Sequence, residues 1–324
     1  MNIYGSALII FTVIIRIIGM NKLPKKTFIV LWLIVISRLL IPYTMPSYIN
    51  IYPIIETLNE QIQSYQQPQP DEWTLSESPD ISDISIKSNT NKQEFTTNIT
   101  SAIEKTNIPL YSWIWITGML SFGVLFMIPY GLFSPKFKAA LPVKNDYIDS
   151  WVNSHKLYRK YKVMISDEIL SPFTCGLFKP VILLPESIDI NDHELLDYIL
   201  THEFIHIKRF DIVLKWLSAI TLCVNLYNPI VWIMYVFMNR DIELVCDESV
   251  IKLKGETNKK TYAKMLLNIE INKTNLNPLV SYFNKNPLRE RISAIIKFKK
   301  INILNMILAF LVILSSIAIL VSYF

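Results

Sequence analysis

The stretch WLSAITLCVNLYNPIVWIMYVFMN, residues 216–239, runs for 24 residues without a charged side chain. Hydropathy alone makes it a membrane-crossing helix, because about 20 apolar residues span a hydrocarbon core. Its flanks argue otherwise. Upstream stands His202-Glu203-Phe204-Ile205-His206; downstream, Glu243 and Asp247 lie in RDIELVCDESV, residues 240–250. A straight helix between them would rise about 36 Å and part the two groups across a bilayer. Asn228-Pro229 offers the break, since proline removes a rung of the backbone ladder and asparagine favours a turn. The expected structure is a re-entrant or membrane-resting hairpin, 212–239, returning Glu243 to the side of His206.

The two flanks belong together for a chemical reason. Positions i and i+4 of a helix share a face, so the imidazoles of His202 and His206 can reach one ion. Glu203 projects beside them, where a carboxylate takes a proton from a metal-bound water. Leu195, Leu196, Ile199 and Leu200 recur at helical spacing, and Asn191 with Glu194 makes a start resembling a capping box. A catalytic Zn2+ takes three protein ligands and keeps one position for water. Glu243 is therefore assigned as third ligand, and Asp247 as the partner of a histidine N–H. Cys246 offers a soft ligand. It lies about 100° around the helix from the face shared by Glu243 and Asp247, however, and is read as packing.

The rest of the chain says where this chemistry happens. Of 324 residues 51% are hydrophobic and 18% charged, too few charges for the surface of a soluble protein this long. Three scattered cysteines exclude a disulfide scaffold. Four apolar blocks, 3–20, 27–45, about 109–133 and 301–324, are the expected transmembrane helices. The first lacks a basic leader and is interrupted by Arg16, so it reads as a retained span. Arg16 and Arg38 read as anchors at the inner headgroups. Lys22, Lys25 and Lys26 place the first loop inside. Segment 44–108 carries three Lys/Arg against nine Asp/Glu and is expected as a polar, flexible extracellular loop. Residues 134–300 hold 24 of the 32 Lys/Arg, for a net charge of +6, and are expected in the cytoplasm against anionic lipid. No interleaved basic and aromatic stripe appears, so direct nucleic-acid binding is not expected.

The predicted fold is a mainly α membrane protein. Four transmembrane helices carry a cytoplasmic α+β zinc-peptidase segment with the re-entrant hairpin. Residues 1–133 form three helices and the outer loop, 134–301 the peptidase segment, and 302–324 the last helix, with both termini extracellular. Within the peptidase segment Gly176 and Pro180 punctuate a short apolar run, Val181-Ile182-Leu183-Leu184. It reads as an edge strand able to pair with an extended substrate.

The runs SPFTCGLFKPVILLP (171–185), THEFIHIKRFD (201–211), YNPIVW (227–232) and RDIELVCDESV (240–250) resemble the BlaR/MecR-type integral-membrane metallopeptidases, which are antirepressor regulators. The resemblance covers the whole layout. It implies zinc on His202, His206 and Glu243, catalysis by Glu203, and an E-x-x-x-D partner in Asp247. It further implies a cytoplasmic transcriptional repressor, or the chain itself, as substrate. The family's sensors continue into an extracellular penicillin-binding domain with a serine nucleophile. No S-x-x-K element follows the last helix here, so the signal is expected to enter through the outer loop, the helices or a separate sensor protein. Segment 276–291 (LNPLVSYFNKNPLRER) reads as an exposed, strand-like self-cleavage loop. Competing readings are a signalling scaffold with structural zinc, a transporter, and a general membrane quality-control protease. A structural zinc would normally be closed by four protein ligands, and the spans hold only scattered charges, which leaves a transporter without a polar pathway.

Overall fold

A computed structural model describes residues 2–41, 110–276, 278–299 and 302–322; the expected extracellular loop lies outside the described residues. The described chain is mainly helical, with one small sheet. Clustering of the backbone separates residues 44–117 from the remainder. Of that first unit only 110–117, the opening turns of a helix, are described.

The larger unit begins with α1 (Asn2–Gly19) and α2 (Lys25–Leu40), followed by α3 (Leu110–Ala139), whose later part belongs here. Then come β1 (Leu141–Pro142), α4 (Asp146–Ser154), β2 (Lys162–Ser166), β3 (Phe173–Cys175) and β4 (Val181–Pro185). Helices follow: α5 (His193–Arg209), α6 (Asp211–Val224), α7 (Pro229–Lys254), α8 (Lys259–Leu276), α9 (Pro278–Ile296) and α10 (Ile303–Ser322).

The uncharged stretch folds back on itself. Asn228 caps α7, its side chain accepting from the Ile230 amide at 3.0 Å, and Pro229 takes the first helical position, where a missing N–H costs nothing. Asn228 also donates to Ser6 of α1 at 2.7 Å, tying the hairpin tip to the first helix. α6 and α7 pack on each other and on α2. By length and composition, Leu110–Ile128 of α3 and Ile303–Leu320 of α10 can each cross a membrane. The apolar run in α1 is the shorter Tyr4–Gly19, and α2 has 16 residues. Ile303, Leu304, Met306 and Phe310 of α10 are exposed, a surface suited to lipid rather than water.

α7 takes part in two cores. Its first half, through Val231, Met234, Met238 and Ile242, packs with Phe28, Trp32 and Val35 of α2. Its second half, through Cys246, Val250 and Ile251, belongs to a core that also holds Leu196, Ile199 and Tyr262 and, from the sheet, Ile182 and Leu184. Glu243 sits at the change-over.

Four expectations need correction. The α5 cap is Asp192, which accepts from the Leu195 amide at 3.0 Å, one residue past the Asn191 start. The sheet order is β1-β2-β4-β3, so Val181–Leu184 is paired on both sides, parallel to β2 and antiparallel to β3. The edge strands are β1 and β3. A continuous run of apolar residues fits a strand covered on both faces, which Ile182, Leu183 and Leu184 are. Segment 276–291 is not extended either: α9 starts at Pro278 and runs through Pro287.

Arg16 is the fourth. It is buried among helices and paired with carboxylates, so its charge is not free to meet lipid headgroups. Its Nε donates to Asp241 of α7 at 2.8 Å and its Nη2 to Glu290 of α9 at 2.5 Å, while Trp32 Nε1 donates to the other Asp241 oxygen at 2.7 Å. One cation from the first helix thus clamps α7 to α9. Removing one member of a buried pair strands the other charge, at a cost of about 3–5 kcal/mol. Arg16→Met should lower the thermal midpoint of the detergent-solubilised chain by several degrees, and Arg16→Met/Asp241→Asn should recover part of the loss. Additive losses in the double variant would show that the two groups do not act as a pair.

Candidate metal centre

Helix α5 presents His202 and His206 one turn apart, and α7 brings Glu243 to them. His202 Nε2 and His206 Nε2 lie 3.2 Å apart, and Glu243 Oε2 is 3.6 Å from the first and 3.7 Å from the second. Three donors around a tetrahedral ion at 2.0–2.1 Å stand roughly 3.3 Å from one another. The donor triangle therefore has the size that a zinc-like ion requires.

Hydrogen bonds on the far side of each ring fix which nitrogen faces inward. Tyr262 donates its hydroxyl to Asp247 Oδ1 at 2.7 Å, so it accepts from His202 Nδ1–H, 2.9 Å away. His206 Nδ1–H donates to Asp211 Oδ2 at 2.7 Å. With both rings neutral, each Nε2 carries a lone pair aimed at the same point. Two lone pairs at that separation repel unless a cation stands between them.

The charges agree. Burial pulls the His202 imidazole down, but the Cys246 sulfur and the Glu243 carboxylate outweigh it and raise it to about 10. Burial likewise pulls His206 down, against Cys246, Glu243 and Asp211, which leave it well above the usual histidine range. Glu243, pushed up by burial, is drawn well below the usual carboxylate range by His206 and Lys215. The surroundings favour positive charge at the two rings.

Asp211 reaches His206 through an unusual turn. Phe210, between α5 and α6, has φ 58°, in the left-handed region that costs a bulky residue strain. Arg159 holds it there, its guanidinium carbon 3.8 Å over the Phe210 ring and its Nη2 donating to the Ile207 carbonyl at 2.5 Å. Glu203 is also placed by a partner: Thr174 of the edge strand β3 donates to Glu203 Oε2 at 2.7 Å. The β3–β4 turn depends on Gly176, φ +83°, where a Cβ would lie 2.7 Å from the Lys179 carbonyl oxygen.

These groups line one cavity of about 520 Å³, bordered by β3 on one side and by His202, Glu203, His206 and Glu243 on another. The structure thus brings together His202, Glu203, His206 and Glu243. Asp247 acts one step removed: its Oδ1 is 3.5 Å from His202 Nδ1, with Tyr262 between. Val181–Leu184 do not line the cavity.

A second donor set shares the histidines, since His202, His206 and Cys246 have ligand atoms within 4.8 Å of one another. Cys246 Sγ lies 3.4 Å from His202 Nδ1, on the Tyr262 side of the ring, and also contacts the His202 carbonyl at 3.3 Å. It is fully buried and does not line the cavity, whereas Glu243 does. A metal reaching substrate needs an open position, which the glutamate set provides. Tyr262, Asp211, Thr174, Lys215 and Arg291 escaped the sequence reading. Only Asp211, closing the run THEFIHIKRFD, stood close enough in sequence to His206 to be read from it.

Comparison with known proteins supplies the family. The profile described as BlaR1 peptidase M56 matches residues 1–295. The methicillin resistance mecR1 protein of Staphylococcus aureus is 30% identical over 148 residues, 43% of this chain and 25% of that protein. The regulatory protein BlaR1 of Staphylococcus aureus is 29% identical over 233 residues, 68% of this chain and 38% of that protein. BlaR1 of Bacillus licheniformis is 24% identical over 180 residues, 54% of this chain and 30% of its own length. The matches thus span between a quarter and two fifths of these relatives. With its profile match running from the first helix into α9, the chain belongs to the BlaR1-type M56 peptidase family.

Proposed function

We propose that this chain is a membrane-embedded zinc metalloendopeptidase that cleaves a cytoplasmic transcriptional repressor in a signalling pathway. The observation that carries the reading is the pair of inward-facing Nε2 atoms with Glu243 beside them, opening on a cavity that also holds Glu203. His202, His206 and Glu243 hold the metal in this reading. When bound, Zn2+ lowers the pKa of a water and polarises the carbonyl to be attacked. Glu203, oriented by the Thr174 hydroxyl, takes the water proton and passes it to the departing amine. Asp211 and the Tyr262–Asp247 pair keep each imidazole in the tautomer that offers Nε2. The outer edge of β3 pairs with an extended substrate and lays its peptide bond over the site.

In this reading four transmembrane helices carry the chain, the α6–α7 hairpin rests in the inner leaflet, and the work is done at the cytoplasmic face with both termini outside; the apolar spans Leu110–Ile128 and Ile303–Leu320 support it. The open cavity beside the donors disfavours a scaffold with a closed structural zinc. Self-cleavage within 276–291 requires α9 to unwind, because a peptidase of this kind binds extended chain. A repressor relative cleaved on induction favours the signalling reading; many damaged membrane proteins cleaved without a signal would favour quality control.

Glu203→Gln should keep bound zinc at the wild-type level and lower cleavage of a co-expressed repressor by about 10²–10⁴-fold. Unchanged cleavage would remove Glu203 from the mechanism. Asp211→Ala should weaken zinc affinity by about 10–100-fold in chelator competition; an unaltered affinity would show that the His206 orientation does not depend on it. In spheroplasts, single cysteines at Lys22 and Glu256 should resist a membrane-impermeant maleimide until the membrane is opened. Labelling of the Glu256 position from outside would contradict the hairpin topology.

A further inference from the structure

Arg291 is a charged group at the site that the reaction above leaves unused. It projects from α9 and lines the cavity. Its Nε donates to Asp247 Oδ2 and its Nη2 to Asp247 Oδ1, both at 2.7 Å. That two-point pairing fixes the plane of the guanidinium. Asp247 is fixed in turn by the Tyr262 hydroxyl. The remaining nitrogen, Nη1, lies 3.4 Å from Glu243 Oε2, and Nη2 lies 3.5 Å from His202 Nε2. A rigid cation therefore faces the edge between two of the three metal donors.

Placing a cation there works against metal binding, because it repels the ion that the donors are built to hold. Glu243 has no need of it for orientation, since Lys215 donates to its other oxygen at 3.2 Å. Asp247 would be satisfied by an arginine turned away from the site. The placement makes sense if negative charge appears beside the ion during the reaction, as it does on the oxygen of an attacked carbonyl.

On the zinc-peptidase reading, we infer that Arg291 is a catalytic residue that donates from Nη1 to the scissile carbonyl oxygen and stabilises the charge developing on it. The water oxygen bonds to the carbonyl carbon while the C=O π pair moves onto the oxygen facing Arg291. Glu203 takes one water proton and delivers it to the amide nitrogen. The C–N bond then breaks, the C=O bond re-forms, and a carboxylic acid and an amine result. Arg291 keeps its protons throughout; it supplies a fixed positive edge, and Asp247 serves as its positioning residue.

The test uses the full chain in lipid nanodiscs as wild type, Glu203→Gln, Arg291→Met and Arg291→Lys. Lysine keeps the charge but not the two-point pairing, so it serves if the methionine variant fails to fold. Five quantities are read: zinc per chain, kcat and KM on a quenched fluorescent peptide, binding of a phosphinate peptide, and binding of a peptide hydroxamate. The phosphinate carries the tetrahedral anionic centre of the transition state, whereas the hydroxamate grips the metal without it. In Arg291→Met, kcat should fall by about 10²–10³-fold with zinc unchanged, and in Arg291→Lys by less. Phosphinate affinity should fall in step with kcat/KM, while hydroxamate affinity moves by less than about threefold. Wild-type kcat, loss of zinc together with activity, or equal weakening of both inhibitors would each overturn the assignment. The peptidase reading is scored separately by wild type against Glu203→Gln. If those two cleave equally it falls, yet the inhibitor comparison, which needs no turnover, still decides the place of Arg291.

Discussion

The structure turns on two imidazole nitrogens held 3.2 Å apart with their lone pairs converging. Nothing about that arrangement is comfortable without positive charge in the gap. Each ring is locked from behind, His202 by Tyr262 and His206 by Asp211, so neither can rotate to relieve the repulsion. Glu243 arrives from α7, a helix that begins at the tip of an uncharged hairpin and whose second half joins the core shared with α5. The fold of the hairpin thus brings Glu243 back beside α5.

The same helix explains how an apolar bundle and a peptidase-like segment share one body. α7 buries apolar side chains against α2 in its first half and against α5 and α8 in its second. Near the junction, Arg16 of α1 reaches Asp241 and Glu290, flanking the positions of Glu243 and Arg291. Glu248 accepts from the first backbone amide of α2 at 3.1 Å, where a helix N-terminus favours a carboxylate. Charge that would be costly in lipid is spent on fastening the helices to the donor-bearing segment.

Much of this was legible in the sequence, for reasons that can be named. The hairpin followed from Asn228-Pro229 and from the impossibility of one ion contacting both ends of a straight span. His202, Glu203 and His206 followed from helical spacing, and Glu243 from a matching pair of acids. The edge strand was misplaced because apolar content identifies a strand but not its neighbours; Thr174, which touches Glu203, sits in the less conspicuous Phe173–Cys175. Pro and Asn made 276–291 look like a loop, yet a proline in the first turn of a helix is tolerated, and α9 also continues through Pro287. Tyr262 and Arg291 could not be seen at all. They come from helices 60 and 89 residues beyond His202 and meet it only through tertiary packing.

Zinc-edge X-ray absorption on the metal-loaded full chain tests the central claim most directly. The account predicts a first shell of nitrogen and oxygen at about 2.0–2.1 Å, with an imidazole signature for two histidines and no sulfur. A scatterer at about 2.3 Å would put Cys246 in place of Glu243 and contradict the donor assignment; failure to take up one zinc per chain would contradict the account altogether.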